Sequence, residues 1–362
     1  MVALLFLGIL AGATVYLSDR VAGFFSAGKA GPFYGLFGAL TVYMIPGVVI
    51  FSHFKGMASR ILYSLAAILM GFLLYFLLAV VLTDLLRLMI RIPPGISGMA
   101  ALLLALGVSG YAAGNAYWLK TRKISICIGG LKKKARILHL TDIHLGHFRG
   151  SRFLQRLVDL ANRHEVDMVL ITGDLFDGRS GLKDRILEPL KQVDAPAYYV
   201  EGNHDIYTGV EQVKQLVRET GIRVLSNEMV IQGEFRIIGL NNMRSDPDGV
   251  DMHGTGNPGT IRSVLEEMHP SPDMPTILMH HSPNGIEYAH AHSVDLYLAG
   301  HTHAGQLFPV TLIMELLYRF NKGLHDYRGM KIYVGEGAGT FGPPMRLGTR
   351  ASVTLFRLEP CT

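Results

Sequence analysis

The first 118 residues constrain this chain more than any other feature. Met1–Trp118 contains no glutamate, and its charged side chains are Arg20, Lys29, Lys55, Arg60, Arg87 and Arg91 against Asp19 and Asp84. Four apolar stretches, at about Val2–Ser18, Phe33–Ser52, Ile61–Thr83 and Ser97–Trp118, approach the roughly 20 residues a helix needs to cross a bilayer. Lipid offers no partner to a backbone amide, so such segments must bond internally as helices. The first stretch is the shortest, and Ala11-Gly12-Ala13 faintly resembles a signal-cleavage site. It lacks a basic leader and three more apolar stretches follow, so a retained helix is the better reading. The expectation is an N-terminal multi-helix transmembrane region over residues 1–118, of about four helices.

Of the 34 Lys+Arg and 29 Asp+Glu in the chain, almost all lie beyond Trp118, where they nearly cancel. The net charge of +5 therefore comes mostly from the apolar part. It gives no reason to expect a nucleic-acid partner. Flanking charges suggest an orientation. With four crossings, Lys55 and Arg60 share a side with Lys120, Arg122, Lys123, Lys132, Lys133, Lys134 and Arg136. This bias expects an integral protein of the cytoplasmic membrane with the globular domain on the cytoplasmic side. Residues 119–135 read as a basic linker. The two cysteines, Cys127 and Cys361, suggest neither a disulfide scaffold nor a thiolate metal site, and leave the redox compartment open.

From about Arg136, short apolar runs alternate with amphipathic ones. Ala135–Leu140, Val166–Thr172, Ala197–Val200, Thr276–Met279, Val294–Ala299, Lys331–Val334 and Ser352–Leu358 read as strands. Arg152–Asn162, Val210–Thr220 and Ile261–Met268 read as helices, and Arg223–Asn241 as a hairpin broken at Gly233. The alternation predicts a layered α/β sandwich over 136–362.

Polar clusters follow five of the strand-like runs: Thr141-Asp142-Ile143-His144, Gly173-Asp174, Gly202-Asn203-His204-Asp205, His280-His281 and Gly300-His301-Thr302-His303. Each alone is a common loop or cap motif. Together, at the strand ends where α/β sheets bind ligands, they point to one polar centre. Carboxylate, amide and imidazole donors without thiolate suit Mn, Fe or Zn. Seven candidate ligands exceed the needs of one ion, whereas two ions sharing a carboxylate account for them.

The order and spacing of these blocks, over about Arg136–Leu358, resemble the calcineurin-like metallophosphoesterases. The runs Gly300–Gln306 and Gly337–Gly348 resemble a membrane-associated branch, the YkuE/YaeI-like enzymes. The resemblance implies an α/β/β/α sandwich and two divalent metal ions. It places Asp142 and His144 on the first metal and Asp174 between the two. Asn203 falls on the second, with His281, which precedes Ser282-Pro283, preferred to His280 because adjacent strand residues face opposite ways. His301 falls on the second metal and His303 on the first. His204 resembles the catalytic histidine and Asp205 its orienting partner, while Arg149 and Arg179 follow two of the blocks and are candidate phosphate ligands. The implied activity is hydrolysis of a phosphoester or pyrophosphate, with a lipid-linked or envelope-related substrate such as UDP-diacylglucosamine and the bilayer itself as partners. The sequence sets no oligomeric state.

Two other readings compete. One is a catalytically inactive membrane sensor or scaffold, disfavoured because every expected ligand is present. The other is a transporter with an appended phosphatase, disfavoured because the four predicted spans hold no Asp, Glu or His to carry an ion.

Overall fold

The computed structural model describes residues 2–25, 30–183, 185–247, 257 and 259–361. Lys29, named above among the charges of the apolar part, lies outside them. The chain divides into two compact units, Met1–Asn115 with Gly342–Met345, and Ala116–Phe341 with Arg346–Thr362.

The first unit is built on α1 (Val2–Phe24), α2 (Gly31–Phe51), α3 (Met57–Met89) and α4 (Pro94–Tyr117). They meet along Leu17, Phe24, Phe37, Phe76, Val80, Ala101 and Ala105. Large apolar residues such as Val42, Leu65 and Leu103 face outward, the all-round apolarity of helices surrounded by lipid. Among the described residues, three helices, α2, α3 and α4, are long and apolar enough to cross a membrane, where the sequence suggested four. α3 also runs past the expected end at Thr83, because no helix breaker intervenes before Ile90. Asp84 therefore lies inside a helix, contrary to expectation. Its carboxylate is matched by the Arg20 guanidinium and accepts a 2.6 Å hydrogen bond from Tyr16, which offsets the cost of an apolar setting.

The second unit follows Ala116. Its elements are β1 (Lys120–Ile128), β2 (Ala135–Leu140), α5 (Ser151–Arg163), β3 (Met168–Thr172), β4 (Ala197–Val200), α6 (Asn203–Arg218), β5 (Arg223–Val224), β6 (Glu228–Gln232), β7 (Phe235–Gly239), α7 (Ile261–Met268), β8 (Thr276–Met279), α8 (Ile286–Ala291), β9 (Leu296–Ala299), α9 (Val310–Leu317), β10 (Gly323–Tyr327), β11 (Met330–Val334) and β12 (Ser352–Pro360). They form two six-stranded sheets, ordered β1-β12-β2-β3-β4-β5 and β10-β11-β9-β8-β7-β6. Strands β2, β3 and β4 are parallel, as are β7, β8, β9 and β11.

Why these runs lack polar alternation is clear from their neighbours. Ile137, Leu170, Val200, Ile277, Met279 and Leu298 point into the core between the sheets. Their chain neighbours Leu138, Val169, Ile171 and Tyr199 pack instead under Leu154, Leu157, Val213 and Val217 of α5 and α6. On the other sheet, Leu278, Tyr297 and Ala299 pack under Ile261, Leu265, Ile286 and Ala289 of α7 and α8. Strands covered on both faces must be apolar throughout. The result is the four-layered α/β/β/α sandwich.

The stretch read as a basic linker is instead mostly strand. β1 pairs in parallel with β12, Lys120 opposite Ser352 through Ile128 opposite Pro360. Ile124, Ile126 and Ile128 turn inward, but the strand opens on Lys120, Arg122 and Lys123, charges that mask an edge strand whose partner lies over 200 residues on. The same pairing brings Cys127 beside Cys361, with Cα atoms 4.9 Å apart, and the structure joins them as a disulfide. Two lone cysteines suggest no disulfide scaffold from sequence, and it is the sheet register that brings this pair together.

Candidate metal centre

Each polar cluster sits just past the carboxyl end of a parallel strand: Asp142 and His144 after β2, Asp174 after β3, Asn203 after β4, His281 after β8, and His301 and His303 after β9. The backbone turns sharply there. Asp142, His144, Asp174, His301 and His303 all have φ between 48° and 72°, the left-handed region, which costs a non-glycine residue on the order of 1–3 kcal/mol. Five such residues in one place mark a site where the surrounding structure imposes the conformation. Hydrogen bonds show how. Asp142 N donates to Gly173 O at 3.1 Å and His144 N to Asp174 O at 3.0 Å, lacing the β2 and β3 loops together beyond their strands.

Two glycines make room. A side chain at Gly202 would collide with the Asp174 carboxylate, and one at Gly300 with Thr141 and the Asp142 carboxylate. Thr141 in turn donates to Asp142 Oδ2 at 2.7 Å.

The side chains converge in two overlapping groups. In the first, His144 Nε2 and His303 Nε2 are 3.0 Å apart, and His303 Nε2 is 3.3 Å from Asp142 Oδ1. In the second, Asn203 Oδ1 lies 3.2 Å from His281 Nε2 and 3.0 Å from His301 Nδ1. Asp174 Oδ2 reaches both, 3.7 Å from His144 Nε2 and 3.2 Å from His281 Nε2. Of the adjacent histidines, His281 turns to this cluster. His280 turns away, its Nδ1 2.7 Å from Ser282 O and 3.1 Å from the Tyr297 hydroxyl.

The donor set fits metal ions on physical grounds. Asp142 and Asp174 are buried, and among the described residues no lysine or arginine forms an ion pair with either. Buried carboxylates without a counter-charge are costly. The histidines register the deficit. Burial alone would suppress the charge on His281, yet the Asp174 carboxylate lifts its pKa to about 9. His144, where burial and the neighbouring His204 prevail, is pushed down to about 3 and presents a neutral ring. Two buried carboxylates beside imidazole and amide donors a few ångströms apart are chemically matched to divalent cations, which would take the place of the proton that His281 holds.

His204 stands beside this cluster, partly exposed. The sequence paired it with Asp205, and the structure does not. Asp205 is the third residue of α6, and its buried carboxylate accepts hydrogen bonds from Leu175 N (3.0 Å), Phe176 N (3.1 Å) and Gly202 N (2.9 Å). It braces the β3 and β4 loops, the reciprocal cap geometry of a helix start. The carboxylate facing His204 is Asp177, whose Oδ1 is 3.5 Å from His204 Nδ1. Burial works against charge on His204, but Asp174 and Asp177 outweigh it and raise its pKa to about 9. A second carboxylate three residues after Asp174, in Gly173–Asp177, was the available signal.

Neither arginine singled out from sequence lines the cleft. Arg149 is buried with its guanidinium over the Tyr117 and Phe153 rings, donating to Ala116 O at 2.5 Å. Arg179 is exposed at the start of a short 3-10 turn. A third arginine is closer to the centre. Arg346 is fully buried, with Nη2 2.7 Å from Glu336 O, 2.7 Å from Gly339 O and 3.0 Å from His303 Nδ1. It fixes the loop behind His303, and nothing in its sequence setting announces that. The cleft itself, about 220 Å³, is lined by the polar Asp174, Asn203, His204 and His301 together with Val310, Met314, Tyr318 and Phe341.

Two sheets with a carboxylate–imidazole centre at their parallel strand ends define a metal-site α/β/β/α protein. The family description "calcineurin-like phosphoesterase" matches residues 135–305. An uncharacterized metallophosphoesterase of Aquifex aeolicus is 30% identical over 71% of this chain and 98% of its own length. One from Helicobacter pylori is 34% identical over 67% of this chain and 64% of its own. A bovine transmembrane protein with metallophosphoesterase domain is 35% identical over 62% of this chain and 53% of its own. The chain belongs to the calcineurin-like phosphoesterase family. The match spans less than two thirds of the Helicobacter and bovine relatives' length. Among solved structures, a dimetal phosphatase from Danio rerio gives a TM-score of 0.38 at 14% identity, over 56% of this chain and 87% of that one, a likeness too loose to speak to chemistry.

Proposed function

We propose that this chain is a membrane-anchored, two-metal hydrolase of lipid-linked phosphoesters or pyrophosphates. One observation carries the reading: two buried carboxylates, unpaired with any lysine or arginine among the described residues, lie amid four imidazoles and an amide oxygen. Asp142, His144 and His303 would hold one divalent ion, Asn203, His281 and His301 the other, and Asp174 both, the ions being Mn, Fe or Zn. Bound there, such ions lower the pKa of water and neutralise charge on a phosphoryl group. The chain's own contribution is to fix these donors on strand ends. His204, held by Asp177 at the open side of the cleft, presents a proton to the departing oxygen. The apolar wall of Val310, Met314 and Tyr318 favours a substrate with a hydrocarbon part.

The test uses the full chain purified in detergent. Elemental analysis is expected to find two divalent ions per chain, and chelation to abolish hydrolysis of nitrophenyl and lipid phosphoesters alike. A folded, metal-free protein inert towards every ester would support the scaffold reading instead. We place the catalytic domain on the cytoplasmic side from the Lys and Arg flanking the apolar segments. The Cys127–Cys361 bond is the opposing observation, because such bonds persist in oxidising compartments. Thiol labelling in intact cells separates the two: a reduced pair supports the cytoplasmic placement, and an oxidised pair overturns it.

A further inference from the structure

Helix α9 buries almost nothing. Of its residues only Thr311 is buried, whereas α5 sinks Phe153, Leu154, Leu157, Val158 and Ala161 into the core. Leu316 is 88% exposed, Leu317 65%, Leu312 52% and Ile313 51%. Their spacing puts them on one side of the helix. Val310, Met314 and Tyr318 follow one another at four-residue intervals on another side and line the cleft beside Asn203, His204 and His301. Tyr318 closes that wall with its hydroxyl 3.2 Å from His301 Nε2. The one acidic residue, Glu315, is matched by Lys322 at 2.9 Å. A short helix is thus apolar towards solvent and towards the metal cleft at once.

We propose that the outward side of α9 enters the acyl region of a phospholipid bilayer, and that its inward side leads the hydrocarbon of a membrane lipid phosphoester to the metal centre. This rests on the lipid-linked reading of the substrate and adds the element that selects it. The bilayer is the occupant for three reasons. Among its described residues the same chain carries three helices long and apolar enough to span one. The residues after α9 include Arg319 and Lys322, cations of the kind that settle among headgroups. A water-exposed run of Leu312, Ile313, Leu316 and Leu317 is otherwise an apolar patch with no cover.

Two measurements on the full chain test this. The first places a reporter on the helix: Leu316→Trp in a Trp118→Phe background, which removes the chain's one other tryptophan, reconstituted into vesicles of acyl-brominated phosphatidylcholine. Quenching of the new fluorescence is expected; emission unchanged from that in non-brominated vesicles overturns the proposal, as when a second copy of the chain covers the helix. The second uses Leu312→Ser/Leu316→Ser. Its kcat/KM for a long-chain phosphoester in vesicles should fall at least about tenfold, the scale of one lost buried leucine, with hydrolysis of soluble nitrophenyl phosphoester unchanged. Equal effects on both substrates, or on neither, overturn it. The fluorescence readout needs no turnover: quenching in a protein that hydrolyses nothing upholds the docking and refutes the enzymatic reading, whereas lipid hydrolysis without quenching does the reverse.

Discussion

The reassignment of Asp205 and Asp177 can be tested with a pair of isosteric variants. In Asp205→Asn one carboxylate oxygen becomes an NH2 group. The favourable rotamer keeps the oxygen on Leu175 N and Phe176 N, now 3.0 and 3.1 Å away, and turns the NH2 towards Gly202 N, 2.9 Å from the other oxygen. Two donors then face each other in a buried place. An unsatisfied buried amide costs about 1–3 kcal/mol, and the two remaining bonds lose their charge assistance, which roughly halves them. The sum is about 2–4 kcal/mol. For a catalytic unit of this size that is a fall in Tm of about 5–15 °C, readable by thermal unfolding of the full chain in detergent. Metal content should fall with it, since Gly202 packs against Asp174. Asp177→Asn should change stability by less than about 1 kcal/mol, a Tm shift of no more than about 4 °C. It should instead lower turnover by about 10–10²-fold, more for alkyl than for nitrophenyl esters, because it weakens the hold on the leaving-group proton. The reasoning is refuted if Asp205→Asn unfolds like the wild type while losing activity in a leaving-group-dependent way, and Asp177→Asn is silent.

Three further outcomes are expected. Asp174→Asn should abolish hydrolysis and retain at most one ion by elemental analysis, because Oδ2 of that residue is the atom shared by both groups; two tightly held ions in this variant would contradict the bridging role. His281→Ala should lose metal, whereas His280→Ala should lower stability by about 1–3 kcal/mol through the Ser282 and Tyr297 contacts with metal content intact, and a reversed pattern in metal analysis would show the strand register to be wrong by one. Gly300→Ala should cost metal binding and activity although no ligand is changed, because its methyl meets Thr141 and Asp142; normal metal stoichiometry would show that the β9 loop can yield.

The sequence by itself set the apolar first third, the layered α/β class, and the polar clusters that close on one another after β2, β3, β4, β8 and β9. These were legible because each depends on local facts. Membrane-length helices need only a run of apolar residues, α7 only its own periodicity, and a strand covered on both faces only an unbroken apolar run. Candidate ligands that sit one or two residues past such strands inherit that legibility, so Asp142, Asp174 and His281 could be singled out without coordinates. What the tertiary structure decided depends on residues distant in the chain. β1 hides among lysines because its partner is β12, and that register alone brings Cys127 to Cys361. Asp177, and not Asp205, meets His204 because α6 turns the Asp205 carboxylate back onto the β3 loop. Arg346 reaches His303 only through the path of the closing loop, and Arg149 is drawn into an aromatic contact. A mostly apolar octet such as Val310–Leu317 reads the same in a core as on a surface. Only packing shows that its leucines are uncovered, because burial is a property of what surrounds a side chain and not of the side chain itself.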